Sequence, residues 1–476
     1  MAEEVEEQLR RIRDMDSEKA DFKTEHEPVF AVEPGLSRRT VEQISEVKGE
    51  PAWMRALRLR ALEVFMSRPL PEWGPDLSGL NFDEITYYRR PDDRKASSWD
   101  EVPEEIRETF ERLGIPEQER RYLAGTVAQF ESEGVYASLK KSWEKKGVIF
   151  CDMDTAVQKY PEVVREHFMK CVPITDNKFA ALHAAVWSGG SFAYVPRGVR
   201  MDMAQPLSTY FRMNAAQEGQ FEHTLIIIGE GAQAHYIEGC SAPRYSKDSL
   251  HSAVVEIYVK DNAQARYTTV QNWSKNVYNL NTKRAWVGAN ARMEWVGGSM
   301  GSKVTMLYPC SVLKGDNAAA SHLNIAFGTA GTWKDGGAKV IHIGKNTKSK
   351  VVAKSLSMGG GVGIYRGLLR INRGALNAKA HVQCDALILD PESRSETYPH
   401  NEIFEPTAAF AHEASVGRIS EDQVFYLQSR GLTEQEARSM IVLGFLDEVL
   451  REIPLEYSIE LNRLITLEMG RLGAVG

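Results

Sequence analysis

The sequence predicts a mainly β protein: a β-helix core between two helical regions. Three observations predict it. Between about Thr175 and Asp390 glycine becomes frequent and β-branched and aromatic residues dominate short runs. Within that stretch six segments of polar turn followed by strand recur every 27 to 31 residues, a solenoid period. On either side the apolar residues take helical spacing instead. The expected organisation is a helical region over 1–150, a β-helix over 151–410 and a helical region over 411–476.

The N-terminal region is rich in Glu, Arg and Lys. Ala52 to Ser67 carries Trp53, Leu57, Leu62 and Phe65 on one stripe, so it reads as a helix stopped by Pro69 and Pro71. A second helix is expected from Pro103 to Leu113, ended by Gly114 and Pro116. Arg89 to Asp100 reads as a loop.

The repeats begin with Gly229-Glu-Gly-Ala232-Gln-Ala234-His-Tyr236 and Lys260-Asp-Asn-Ala263-Gln-Ala265-Arg-Tyr267. Further copies are centred on Ala291, Ala318, Thr347 and Ala375. Alternate strand positions are mostly small or apolar, so Ala232, Ala234, Tyr236 and their counterparts should point inward, with coils stacked about 4.8 Å apart. An antiparallel β-sandwich with similar hairpins is the competing reading.

Helices return from about Ala411. Ser420-Glu-Asp-Gln423 and Thr433-Glu-Gln-Glu436 both read as capping boxes, and the second opens a run reaching Ile453. A third helix is expected over Leu455 to Met469. Such amphipathic helices suit a docking partner or the chain's own solenoid.

Composition narrows the function. With 58 Lys plus Arg against 65 Asp plus Glu, the charge of −7 gives no general footprint for nucleic acid. Met1 to Arg13 has no secretory apolar segment and no run approaches the roughly 20 apolar residues of a spanning helix, so a soluble cytoplasmic protein with no membrane partner is expected. The five cysteines, Cys151, Cys171, Cys240, Cys310 and Cys384, are scattered and form no CxxC pair, which argues against a disulfide framework or a structural zinc site. Gly359 to Gly363 lacks the Lys-Ser/Thr of a phosphate loop and reads as a turn. A secreted β-helix carbohydrate-active enzyme would need paired acidic residues in an outer groove, and no such pair recurs.

Cys240 lies eight positions after Ala232, so a regular strand points it inward with Tyr236 and Glu238. Gln271, eight after Ala263, should stack beside it, with Trp273 at the next inward position and Lys283 a strand later. Between the copies at Ala232 and Ala375 lie about five coils, or roughly 24 Å.

The stretches Gly189-Gly-Ser-Phe-Ala-Tyr-Val-Pro-Arg-Gly198, Pro206-Leu-Ser-Thr-Tyr-Phe-Arg-Met-Asn214 and Tyr236-Ile-Glu-Gly-Cys-Ser-Ala-Pro243 resemble the SufB/SufD family of iron–sulfur assembly proteins. So do Gln271-Asn-Trp273, Thr282-Lys-Arg284, His412-Glu-Ala414 and Ser420-Glu-Asp-Gln-Val-Phe-Tyr426. The resemblance covers nearly everything after Leu113. It implies a right-handed parallel β-helix and a scaffold rather than an enzyme. Gly-Cys-Ser-Ala-Pro around Cys240 favours the cluster-building branch over its cysteine-poor sister.

The resemblance further implies that Cys240 receives persulfide sulfur and that Arg212, Asn214, Glu222, Gln271, Trp273 and Lys283 line its path. It implies metal ligation at Glu413 and, behind it, His412. Adjacent residues on a strand face opposite ways, so joint ligation needs an irregular backbone there. Some relatives carry a second functional Cys where this chain has Ser393 or its neighbours, and many have Glu where Ala411 stands. His381-x-x-Cys384 is a candidate substitute, although three residues apart on a strand also means opposite faces. The implied cofactors are a transient iron–sulfur cluster and, in some relatives, reduced flavin. The implied partners are the ABC-type ATPase SufC on the C-terminal helices, the sister subunit SufD, a sulfur donor such as SufE or SufU with a cysteine desulfurase, and apo-protein acceptors.

Overall fold

A computed structural model describes residues 23–451, apart from 25, 93–95, 114, 117–118, 120–122, 215–216 and 244–246. The helix expected over Leu455 to Met469 and the stop at Gly114 lie outside the described residues.

The core is a parallel β-solenoid of about eight turns, and the sandwich reading falls. Two sheets form its walls. One has ten strands, running from Gly125–Phe130 through Leu207–Arg212, Gln233–Ser241, Gln264–Trp273, Arg292–Gly301, Ala319–Gly328, Lys348–Ser357 and Lys379–Ile388 to Ala409–Arg418. Its near edge is closed by the antiparallel strand Glu133–Leu139. The other sheet has thirteen strands and ends at the antiparallel Ile149–Asp152.

The repeat sets the register. Ala234 pairs with Ala265 and Tyr236 with Tyr267, so each copy lies on the next without slippage. The Tyr236 column continues through Trp295, His322, Val351 and Val382 to His412. Its first rings stack, with Tyr236 and Tyr267 centroids 5.4 Å apart and 17° from parallel. Alternation buries Ala232, Ala234, Ala263 and Ala265 between the walls, as their spacing predicts.

Each coil turns through a left-handed residue, and that explains the recurring Asn. Asn262, Asn290, Asn317, Asn346 and Asn377 all have φ between 53° and 60°, where a Cβ is costly and Asn is better tolerated than most residues. Their side chains form a ladder: Asn290 Nδ2 donates to Asn262 Oδ1 at 3.1 Å and Asn317 Nδ2 to Asn290 Oδ1 at 2.9 Å.

The N-terminal helices pack on the first coils. Ala52–Ser67 forms as its stripe predicts, placing Leu62 and Phe65 in a core shared with Lys178–Val186. Arg58 is fully buried there, paired with Glu50 and donating to the carbonyls of Ala185 and Trp187 at 3.1 and 2.9 Å. Those three acceptors explain how a guanidinium is accommodated in an apolar core. The second expected helix spans Glu104–Arg112. The expected loop over Arg89 to Asp100 contains a short strand, Arg89–Arg90, paired with Phe30–Ala31.

At the other end the solenoid continues further than the spacing indicates. Ala409–Arg418 is a regular strand, and helices resume only at Glu421–Gln428 and Glu434–Leu450. The box at Thr433 forms, with Glu436 N–H donating to Thr433 Oγ1 at 3.2 Å and Thr433 N–H to Glu436 Oε2 at 2.9 Å. The box at Ser420 does not, since its side chain caps nothing. Val424, Ala437, Val442 and Leu446 cover Ile237, Val270, Ile325 and Leu356 on the outer face of the ten-stranded sheet.

Candidate functional site

Cys240 is 2% exposed and points between the two sheets. Its thiol lies 3.8 Å from Glu238 Oε1, and burial together with the Glu238 and Glu222 carboxylates pushes it well above the ordinary thiol range. Glu238, two residues back on the same face, is the hub of the site. It accepts from Lys283 Nζ at 2.8 Å, Tyr267 Oη at 2.5 Å and Thr269 Oγ1 at 3.3 Å. Burial opposes its charge, yet Lys283 and Tyr267 outweigh that and hold the carboxyl below its usual range.

Gln271 sits in register beside Cys240, as the offset predicts. Its Oε1 accepts from Asn279 Nδ2 at 2.7 Å across the lumen. Asn279 Oδ1 in turn receives Asn281 Nδ2 and meets His251 Nδ1, each at 2.8 Å, and His251 Nε2 faces Glu222 Oε1 at 2.7 Å. Trp273 lies against His251 with ring centroids 4.4 Å apart. Glu222, Gln271, Trp273 and Lys283 are therefore all buried in one polar interior. Arg212 and Asn214 are not brought into this interior: Arg212 is in register with Ser241, on the face of the wall opposite Cys240, and its Nη1 donates to Ser241 Oγ at 3.0 Å, while Asn214 bonds both backbone groups of Thr24.

From this cluster two columns of residues run along the wall. Glu238 is followed rung by rung by Thr269, Gly297, Asn324, Ala353 and Cys384; Cys240 is followed by Gln271, Ser299, Ala326, Ser355 and Ala386. A single interior cavity is lined by Thr269, Gly297, Ser299, Asn324, Ala326, Ala353, Ser355, Ala386 and Cys384, with Tyr267 and Lys283 at its near end. Small residues in both columns keep this lumen open; a Cβ on Gly297 would already stand 3.2 Å from Asn324 Oδ1. The opposite wall carries Thr305 and Lys334. Lys334 is 1% exposed, donates to Gly301 O, Ser302 Oγ and Thr305 Oγ1, and is lowered by burial to about 7.

At the far end Cys384 Sγ stands 3.5 Å from His412 Nε2. Burial pushes this thiol up to about 12. His381 lies on the other face of the strand, so the thiol meets His412 from the neighbouring rung instead. Glu413 is exposed on the outer face, and its strand pairs regularly over ten residues, so the irregular backbone that joint ligation requires is not formed. Ser393 lies in a turn, accepting from Gly360 N–H at 3.0 Å, and does not line the cavity. Among the described residues no group of three or more His, Cys, Asp and Glu side chains is placed to hold a metal. The motifs did not single out His251, Asn279, Tyr267 or a role for Glu238. Glu238 and Tyr267 left a trace, through their even offsets along the first and second repeats.

The fold and site thus define a parallel β-solenoid whose interior holds a buried thiol beside an ion pair and, five rungs away, a thiol–imidazole pair next to a lined cavity. The comparisons give the family. Residues 211–445 match the model "SUF system FeS cluster assembly, SufBD core domain", and residues 124–206 match the SufBD protein N-terminal region. An iron–sulfur cluster assembly SufBD family protein of Staphylococcus epidermidis is 53% identical over 463 residues, 97% of this chain and 99% of that protein. Family proteins of Staphylococcus aureus and Staphylococcus haemolyticus are 52% identical over the same coverage. The chain belongs to the SufBD family of iron–sulfur cluster assembly proteins. No helix among the described residues is long and apolar enough to cross a membrane.

Proposed function

We propose that this chain is the SufB-type scaffold of its family. Cys240 accepts sulfur from a persulfide donor, SufE or SufU served by a cysteine desulfurase. Sulfur moves along the lumen, and the cluster is built at Cys384 and His412 before passing to apo-proteins. The observation that carries this reading is the pair of columns that start at Cys240 and Glu238 and, from Thr269 and Ser299 onward, line one cavity as far as Cys384. Cysteine thiolate and imidazole are the donors iron takes in such sites.

Two ligands do not complete a cluster, so the rest come from a partner. The last strands, Arg394–Ile403 and Ala409–Arg418, are largely exposed, with Tyr398, Ile403 and Val416 among them and Phe404 in the connection between, which suits SufD at this open end. Phe425, Tyr426 and Met440 on the C-terminal helices are also exposed and suit SufC, which supplies the ATPase activity.

The burial of Cys240 favours a second reading, a SufD-like structural subunit, because a buried protonated thiol is ordinarily inert. Anaerobic assembly in the complete complex with a persulfide donor separates the two. Cys240→Ser and Cys384→Ser should each abolish cluster formation, the first before and the second after sulfur is taken up. Full assembly by Cys240→Ser would establish the structural reading.

A further inference from the structure

Outside the lumen, between the thirteen-stranded sheet and the N-terminal helices, three titratable side chains lie in a row with no solvent exposure: His183, His223 and Glu256. His183 belongs to the helix Lys178–Val186, His223 opens the strand His223–Ile228 and Glu256 lies on Val254–Val259. None of the three takes part in the site around Cys240.

The polarity of their hydrogen bonds locates one proton. The carbonyl of Ser252 can only accept, so His183 Nδ1 donates to it, at 3.0 Å. Burial holds His183 well below the ordinary imidazole range, so its Nε2 is a bare acceptor and receives His223 Nδ1–H, at 3.0 Å. His223 is lowered by burial to about 3 and is neutral too, which leaves its Nε2 with a lone pair 3.2 Å from Glu256 Oε2. No other donor reaches that nitrogen among the described residues, and two lone pairs in contact are costly. The hydrogen between them must be carried by Glu256. Burial raises this carboxyl to about 7, although the backbone N–H groups of Met169 and Val172 donate to it at 2.5 and 2.8 Å. Arg284, in register on the next rung, is engaged elsewhere: it pairs with Asp176 at 2.7 Å and donates to Cys171 O at 3.1 Å.

The segment held by Glu256 is itself strained. Met169 has φ 54°, a left-handed backbone that a long side chain adopts only when its surroundings impose it. Phe168 stacks on the His223 ring with centroids 3.9 Å apart, so the same three side chains anchor both residues.

We propose that Glu256, His223 and His183 form a buried proton switch that fastens residues 168–172 to the solenoid while Glu256 is protonated and releases them when its proton passes to solvent. The other titratable and charged groups facing the row are Tyr258 on the same strand, Arg284 on the next, Cys171 and His167 on the covering segment, and Arg58 and His251 around His183. The closed form binds one proton more than the open form, so rising pH favours opening until Glu256 is ionised in both.

Two readouts on the full chain test this. Infrared difference spectra between pH 5 and pH 8 should show a protonated-carboxyl band that disappears near pH 7 and is missing from Glu256→Gln. Hydrogen exchange of the 169–172 amides, corrected for the intrinsic pH dependence of exchange, should show local opening that rises about tenfold per pH unit from about 5 to about 7 and then levels off. Glu256→Gln keeps an acceptor for the backbone and a donor for His223, so its opening should be flat with pH. A Glu256 carboxyl already ionised at pH 5 overturns the proposal, and so does a Glu256→Gln chain whose opening follows pH as wild type does. Should Glu256→Gln lose the cooperative thermal transition, exchange in wild type decides, since opening independent of pH over that range refutes the switch.

Discussion

Cys384 stands in the same cross-strand column as Glu238, five rungs further along the solenoid. Five rungs span about 24 Å, too far for one cluster to touch both ends. The column instead gives a continuous wall between the ion-paired centre beside Cys240 and the thiol at the open end.

Filling that column should separate uptake from delivery. Ala353→Phe puts a ring into the lumen between Asn324 and Cys384, at an overpacking cost of about 1–3 kcal/mol. Labelled sulfur should still reach Cys240 while cluster formation falls at least about tenfold. Normal assembly by a folded variant would show that sulfur takes another route.

The Glu238–Lys283 pair should behave as a buried ion pair. Lys283→Met leaves Glu238 buried without its cation and should lower unfolding free energy by about 3–5 kcal/mol. The double variant Glu238→Leu/Lys283→Met should recover most of that loss. Urea denaturation of the two singles and the double measures the coupling.

Lys334 should make stability depend on alkaline pH. Its folded-state value, about 7, lies below the ordinary 10.5, so the unfolded chain binds the extra proton between those limits. Stability should therefore rise with pH from 7 to 10.5, by up to about 4 kcal/mol from this group. Wild type compared with Lys334→Met at pH 7 and pH 10 isolates the term; an equal difference at both would refute it.

The asparagine ladder should tolerate glycine better than alanine. Asn290, at φ 53°, bonds both neighbours in the ladder. Asn290→Ala should cost about 1–2 kcal/mol of backbone strain, whereas Asn290→Gly loses only the side-chain bonds. Thermal melting orders the two.

The solenoid was legible because its period is written in the turn residues: Asp-Asn, Ala-Asn and Asp-Asn recur where the backbone becomes left-handed. Alternation then placed Cys240 beside Gln271 correctly. Strand ends were harder, since the final rung, Ala409–Arg418, has exposed faces and lacks the small–apolar alternation of its predecessors. The His251–Asn279 bridge was invisible for a different reason. Those residues come from the opposite wall, and no spacing within one strand reports what faces it across the lumen. The Cys384–His412 contact likewise joins positions on two rungs, which a search for neighbours three apart in sequence cannot find.

The asymmetry of the stack bears on where the molecule opens. Inner rungs are held on both sides, whereas Arg394–Ile403 and Ala409–Arg418 are each held by one neighbour. In such a linear array fraying begins at the singly supported terminus, whose cost is the smallest in the chain. His412 rides on that terminal rung and Cys384 on the one beneath it. Under the scaffold function proposed above, a breathing end of this kind is the expected entry for iron and exit for a finished cluster, away from the tightly clamped interior around Cys240.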